Sequence, residues 1–156
     1  MEAIVIEEHP VASVHIRVIS CEDASAVAEL SGQLGYEVTA EMIAERIQSL
    51  SPRAASQVVF VACVGAEVVG WIEAAITYHL QSAPYSLIGG LVVREGMRSL
   101  GIGKKLCSAV EAWSKEKGIE TVRVTSRSSR EDAHRFYLRE GYERVKTSAV
   151  FEKVLA

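Results

Sequence analysis

The chain has 156 residues, 49% hydrophobic and 24% charged, which is enough apolar material for one globular core and too little length for two ordinary domains. Its formal charge of −3 and pI near 5.8 argue against a nucleic-acid binder, which needs a net basic face. No run reaches the ~18 to 20 apolar residues that cross a membrane, and the acidic start Met1 to Glu8 lacks the basic segment of a signal peptide; a soluble, cytoplasmic protein is expected.

Residues 1–13 read as an N-terminal arm in which Ala3 to Ile6 suits an added edge strand, and residues 14–156 as the domain proper. His15 to Ile19 alternates as a first strand. Ser20 caps a helix that ends near Gly32 and Gly35, with Glu22 and Asp23 in its first turn. Thr39 starts a second helix with an inner stripe of Met42, Ile43, Ile47 and Leu50, stopped by Ser51-Pro52. Gln57 to Val64 and Val68 to Tyr78 form an antiparallel pair about Gly65-Ala66-Glu67. A loop from His79 leads into the strand Tyr85 to Val93, where Gly89-Gly90 predicts a bulge or a close backbone approach. A helix from about Gly101 to Lys117, the strand Glu120 to Ser126, a helix from Arg130 to Glu140, and two last strands, Tyr142 to Lys146 and Ala149 to Leu155, complete the order βααβββαβαββ. Cys21, Cys63 and Cys107 are odd in number, far apart and set among apolar neighbours, so neither a disulfide nor a metal site is expected.

The stretch Leu91 to Leu106 carries the chemistry. A β-branched run ends, a polar turn follows, and Gly101 and Gly103 open a segment with helical apolar spacing. Glycines let a ligand approach the backbone, and the first N–H groups of a helix lack internal partners, so the pattern reads as a diphosphate cradle. It is not a Walker loop, because Arg98 stands where the first glycine belongs and Lys105 where the metal-binding hydroxyl belongs. A dinucleotide fingerprint would need a third glycine where this chain has Leu106. Arg94, Arg98, Lys104 and Lys105 cluster around the glycines, whereas Glu37, Glu41, Glu45 and Glu73 lie elsewhere. If the two sets separate in space, one end suits a phosphate-rich molecule and the other a cation. The alternative is that the glutamates are simply solvated.

Leu91-Val92-Val93 followed by Arg98-x-x-Gly101-x-Gly103 resembles the acetyl-CoA signature of the GNAT superfamily of N-acyltransferases. One strand after the cradle helix, Ala133-x-x-Phe136-Tyr137-x-x-x-Gly141-Tyr142 resembles the second signature of that family. The resemblance implies a single-domain α/β (α+β) fold, a mixed and mostly antiparallel sheet of about seven strands flanked by four helices. It implies direct acetyl transfer from acetyl-CoA to a primary amine of a small cationic or aminoglycoside-like molecule. A lysine or N-terminal amine of a protein, or a non-catalytic acyl-CoA-binding module, are the alternatives. Main-chain N–H groups of Arg98, Ser99, Leu100, Gly101, Ile102, Gly103 and Lys104 would hold the pyrophosphate. Leu91, Val92 and Val93 would pair with the pantetheine arm and polarise the thioester.

By the same resemblance Tyr137 protonates the departing thiolate, while Phe136 and Tyr142 read as packing residues. Two departures stand out. Where many relatives carry asparagine this chain has Arg130, so the pantetheine contact passes to Arg130, to Ser129 or its neighbour Ser128, or is lost. The strand Tyr85 to Val93 has no carboxylate, which leaves Glu73 as the candidate base, through a water if needed, and His79 in reserve. Cys107 falls on the packed side of the cradle helix and is not expected to carry an acyl group. The apolar last strands, with the habit of the family, suggest a homodimer.

Overall fold

The alternating apolar segments pair into a five-stranded sheet, with α1 and α3 packed on its two faces. In chain order the elements are β1 (Val14–Val18), α1 (Ala24–Gly32), α2 (Ala40–Gln48), β2 (Gln57–Val64), β3 (Glu67–Thr77), β4 (Tyr85–Val93), α3 (Ile102–Glu116), β5 (Val122–Val124) and α4 (Glu131–Arg139). The computed structural model describes residues 13–98, 100–126 and 130–156. The chain divides into two compact units, one ending at Val124 and one beginning at Thr125.

In the first unit the strands lie in the order β1-β2-β3-β4-β5, antiparallel up to β4, with β5 parallel to β4. The antiparallel part follows from short connections, Gly65-Ala66 with Gly65 at φ 61° being the tightest. The parallel pair needs a long crossover, and α3 supplies it. On one face Val61, Cys63, Val68 and Val92 close over Val27 and Leu30 of α1 in a buried cluster. On the other, Ile102, Leu106 and Val110 of α3 are wholly buried. Gly70 lets α3 come close, since a Cβ there would lie 2.9 Å from Val92 O and 3.3 Å from Leu106 Cδ1. The buried Ser114 hydroxyl, 2.6 Å from Ser86 Oγ and 2.8 Å from Val110 O, ties α3 to β4.

Capping behaves as the residue types require. Thr39 Oγ1 accepts from Met42 N–H at 3.2 Å to start α2. Ser20 precedes a single 3-10 turn, Cys21–Asp23, rather than the α-helix itself. Asp23 is buried and accepts both Arg17 guanidinium nitrogens at 2.8 Å and the Ser20 main-chain N–H at 2.8 Å, which locks β1 to the entry of α1.

Several expectations need correction. The sheet has five strands among the described residues, not seven, and Tyr142 to Lys146 and Ala149 to Leu155 form no strand. Val145, Val150, Phe151, Val154 and Leu155 are all exposed. Apolar, β-branched composition favours an extended chain, but a strand also needs a ladder to satisfy its peptide groups, and composition cannot supply one. The strand expected from Glu120 to Ser126 contracts to β5. Met42 is 39% exposed, so it leaves the inner stripe of α2, and Cys21 is exposed while Cys63 and Cys107 are buried. Ala3 to Ile6, and the arm up to residue 12, lie outside the described residues.

The second unit contains α4, ended by Gly141 at φ 92°. Tyr142 N–H bonds to Tyr137 O at 3.0 Å across that end. Asp132 pairs with Arg135 on its outer side.

The Arg17 hydrogen bonds hold the Asp23 carboxyl below the usual carboxylate range, against the opposing effect of burial. Replacing Asp23 by alanine is expected to destabilise the fold by about 2 kcal/mol at neutral pH, because it strips a bidentate pair and a main-chain acceptor together. A lowered folded-state pKa gives stability that is present above the unfolded value, ~3.9, and is lost as the pH falls through the folded one. Urea unfolding of both proteins at pH 7 and pH 3 should therefore show the difference shrinking in acid.

Candidate active site

β5 pairs with β4 only at Ser86, Leu87 and Ile88. From Gly89 to Val93, β4 has β3 on one side and, among the described residues, no strand on the other. This leaves main-chain donors and acceptors along an open edge. The opening begins at a bulge: Glu73 pairs with Gly90 and Ala74 with Ile88, so Gly89 is the extra residue. Gly90 is required by what it faces, and Gly89 is the less constrained of the two. A Cβ at Gly90 would sit 2.8 Å from Trp71 Cη2, and one at Gly89 would sit 3.2 Å from Glu73 Oε1.

The bulge also re-phases the strand. Before it, Ser86 and Ile88 point to α3; after it, register puts Leu91 and Val93 on the α3 face and Val92 in the cluster under α1. The opposite face, reading across β3, β4 and β5, then carries Trp71, Glu73, Ala75, Thr77, Tyr85, Leu87, Gly90, Val92 and Arg123.

Past β4 the chain turns through Met97 N–H to Arg94 O at 3.0 Å and Leu100 N–H to Met97 O at 3.3 Å. Gln33 Oε1 at the end of α1 accepts Glu95 N–H at 3.0 Å and fixes the turn. Gly101 precedes α3 at φ 78°, in the left-handed region that favours glycine. The first helical bond runs from Lys105 N–H to Gly101 O at 3.1 Å, so the N–H groups of Gly101, Ile102, Gly103 and Lys104 find no main-chain acceptor among the described residues. Ile102 and Gly103 are buried, so neither puts a side chain into solvent at the start of the helix. Arg98 and Lys104 are exposed, as is Leu100, and Ser99 lies outside the described residues. Arg94 leaves the expected basic cluster, because it pairs with Glu67 and reaches Val68 O at 3.4 Å.

Glu73 is half-buried beside the two glycines, and burial raises its pKa above the ordinary carboxylate value, opposed by the charge of Arg46 on α2. His79 is exposed beyond the end of β3, its Nε2 3.1 Å from Tyr85 Oη and its ring stacked on Tyr85 at 5.7 Å. Glu37, Glu41 and Glu45 are exposed. Trp71 Nε1 is buried with no acceptor among the described residues. Among those residues no three His, Cys, Asp or Glu side chains gather as a metal site would need.

Thus Glu73, Leu91, Val92, Val93 and the Arg98-to-Lys104 turn share one unit. Tyr137 and Arg130 belong to the second. There Tyr137 lies on α4 with edge-on ring contacts to Phe136 at 5.3 Å and Tyr142 at 5.9 Å. Arg130 is exposed at the start of α4, and Ser128 and Ser129 lie outside the described residues. Sequence reasoning missed Trp71 and Arg123. Only the polar centre of Val122-Arg123-Val124 could have pointed to the last, and its face depends on the β4 register.

A mixed sheet whose parallel partner stops short, followed by a glycine-led helix, is the α/β frame of the candidate site. Residues 24–142 match the acetyltransferase (GNAT) family, and the chain belongs to it. It is therefore a member of an acyltransferase family. An aminoalkylphosphonate N-acetyltransferase of Salmonella typhimurium is 41% identical over 78 residues, which span 49% of this chain and 51% of that protein. An aminoglycoside N(6')-acetyltransferase type 1 of Stenotrophomonas maltophilia is 30% identical over 90% of this chain and 93% of its own. An aminoglycoside N-acetyltransferase crystallised in complex with CoA shares the fold with a TM-score of 0.79 at 19% identity, covering 90% of this chain and 94% of the other.

The glycine pair should respond unequally to substitution. Gly90→Ala drives a methyl into the Trp71 ring, which is itself packed on the core, and is expected to cost about 1–3 kcal/mol. Gly89→Ala meets only the Glu73 carboxylate end and should cost less. Thermal melts of the two variants, with indole fluorescence as a second reading, check the order.

Proposed function

We propose that the protein moves an acetyl group from acetyl-CoA directly to the primary amine of a small molecule, with Glu73 as base and Tyr137 as acid. The observation that carries this reading is Glu73 itself: a carboxylate made more basic by burial, set at the point where β4 loses its neighbour. The open edge from Gly89 to Val93 suits an extended pantetheine arm, and the N–H groups from Gly101 to Lys104, which have no main-chain acceptor among the described residues, suit a pyrophosphate. Acetyl-CoA supplies the activated acyl group as a thioester.

A protonated amine cannot attack, so Glu73 takes its proton, directly or through a water, and the freed lone pair forms the N–C bond at the acyl carbon. Main-chain N–H groups near Leu91 and Val92 hold the negative charge that gathers on the acyl oxygen. As the C–S bond breaks, Tyr137 gives its phenolic proton to the sulfur, a role that rests on the second signature. The names of the two curated relatives, one an aminoalkylphosphonate and one an aminoglycoside acetyltransferase, support a small amine over a protein lysine.

Following thiol release from acetyl-CoA across an amine panel tests the reading at its root, and a rate no higher than hydrolysis with every amine would reject it. Glu73→Gln should cut kcat by about a hundredfold or more. The raised pKa places the acidic limb of the wild-type pH–rate profile above the ordinary glutamate value, ~4.3, with activity falling as Glu73 protonates; the variant should lack that limb. For Tyr137→Phe, a drop of about tenfold or more in kcat with unchanged CoA affinity is expected. Gly101→Val forces a β-branched residue into a left-handed conformation and should weaken calorimetric CoA binding by about tenfold or more.

A further inference from the structure

Arg123 is half-buried on β5, and its guanidinium carbon lies 4.3 Å from the centre of the Tyr85 ring. The ring is held in turn by His79, 3.1 Å from the phenolic oxygen. No hydrogen bond or ion pair joins the guanidinium to another described residue, so a stacked, pre-oriented fork of N–H donors stands without an acceptor. Register puts it on the same face as Glu73, because Arg123 pairs with Leu87 and Glu73 with Gly90. From strand rise and spacing, with Leu87 opposite Ala75 two residues beyond Glu73, the two Cα atoms are roughly 12 Å apart, a span that a small molecule can bridge once both side chains are counted.

The charges on this face decide what kind of molecule fits. Across β3, β4 and β5 it presents one carboxylate, Glu73, and one cation, Arg123, with the positive charge of Arg46 also acting on Glu73. On these three strands a polycation meets a single carboxylate, although Glu41 and Glu45 stand exposed on α2 beside Arg46. A molecule with an amine at one end and an anion at the other is complementary at both. We infer that Arg123, braced by Tyr85, receives an anionic group of the acetyl acceptor, and that the acceptor is an amine bearing a phosphonate, phosphate or carboxylate. This rests on the reading of Glu73 as the base that faces the amine.

Aminoalkylphosphonates, ω-amino acids and plain alkylamines of matched length, with kanamycin as the polycation, separate the possibilities. In the wild type, kcat/KM for the best anionic amine should exceed that of the matched alkylamine by about tenfold or more, as a charge-assisted fork predicts. The better of the phosphonate and carboxylate series names the anion. In Arg123→Gln that ratio should collapse toward unity through KM, and Arg123→Lys should recover part of it, because it keeps the charge and loses the fork. Equal ratios in wild type and Arg123→Gln, or kanamycin as the best substrate, would overturn the inference while leaving the transferase reading intact. Calorimetric titration with 2-aminoethylphosphonate and with 3-aminopropylphosphonate reads the site without turnover. Binding of either that weakens about tenfold in folded Arg123→Gln supports it, and no binding of either, or unchanged binding, overturns it. Thiol release from acetyl-CoA no faster than hydrolysis with every amine would instead reject the transferase reading on which this rests.

Discussion

Glu73 of β3 stands opposite two consecutive residues of β4, and that two-against-one pairing sets the layout of the first unit. Because Gly89 is extra, every side chain beyond it changes face, so Val92 seals the cluster under α1 while Leu91 and Val93 turn toward α3. The same irregularity lies where β5 ceases to pair, and it therefore places a carboxylate beside an open run of peptide groups. Any side chain larger than hydrogen at Gly90 would collide with Trp71. The irregular pairing and the opening thus meet at Glu73, whose carboxylate burial makes more basic.

Two ends of β4 do different electrostatic work. At its C-terminal end main-chain N–H groups of Gly101 to Lys104 dominate, with Arg98 and Lys104 exposed nearby and Arg94 already neutralised by Glu67. Such a site attracts anions through peptide dipoles and is tolerant of side-chain identity. At the N-terminal end the polar groups are side chains, Tyr85, His79 and Arg123, which is where the proposal places selectivity. Family membership accounts for the first end and is silent on the second.

Much of this was legible in the residues. The limits of β2 and β4, the cap at Thr39, the bulge at Gly89-Gly90 and the glycine-led start of α3 each follow from local rules about turns, caps and periodicity. The candidate base could be named from the missing carboxylate in the following strand, although its basicity could not, since that depends on how much water the fold removes. Expectations failed where a local rule needed a distant partner. Tyr142 to Leu155 has strand composition but no ladder among the described residues, and Arg94 looked free until Glu67 came beside it.

The sequence by itself determined the order of elements as far as α4, the cradle glycines and the tyrosine of the second signature, because each is written in spacings of a few residues. Tertiary structure alone decided which side chains share a face with Glu73. Strand register sums over the whole sheet, a single inserted residue inverts it, and no local pattern records the sum. For that reason Arg123 became a candidate for recognition only once β5 was seen against Leu87.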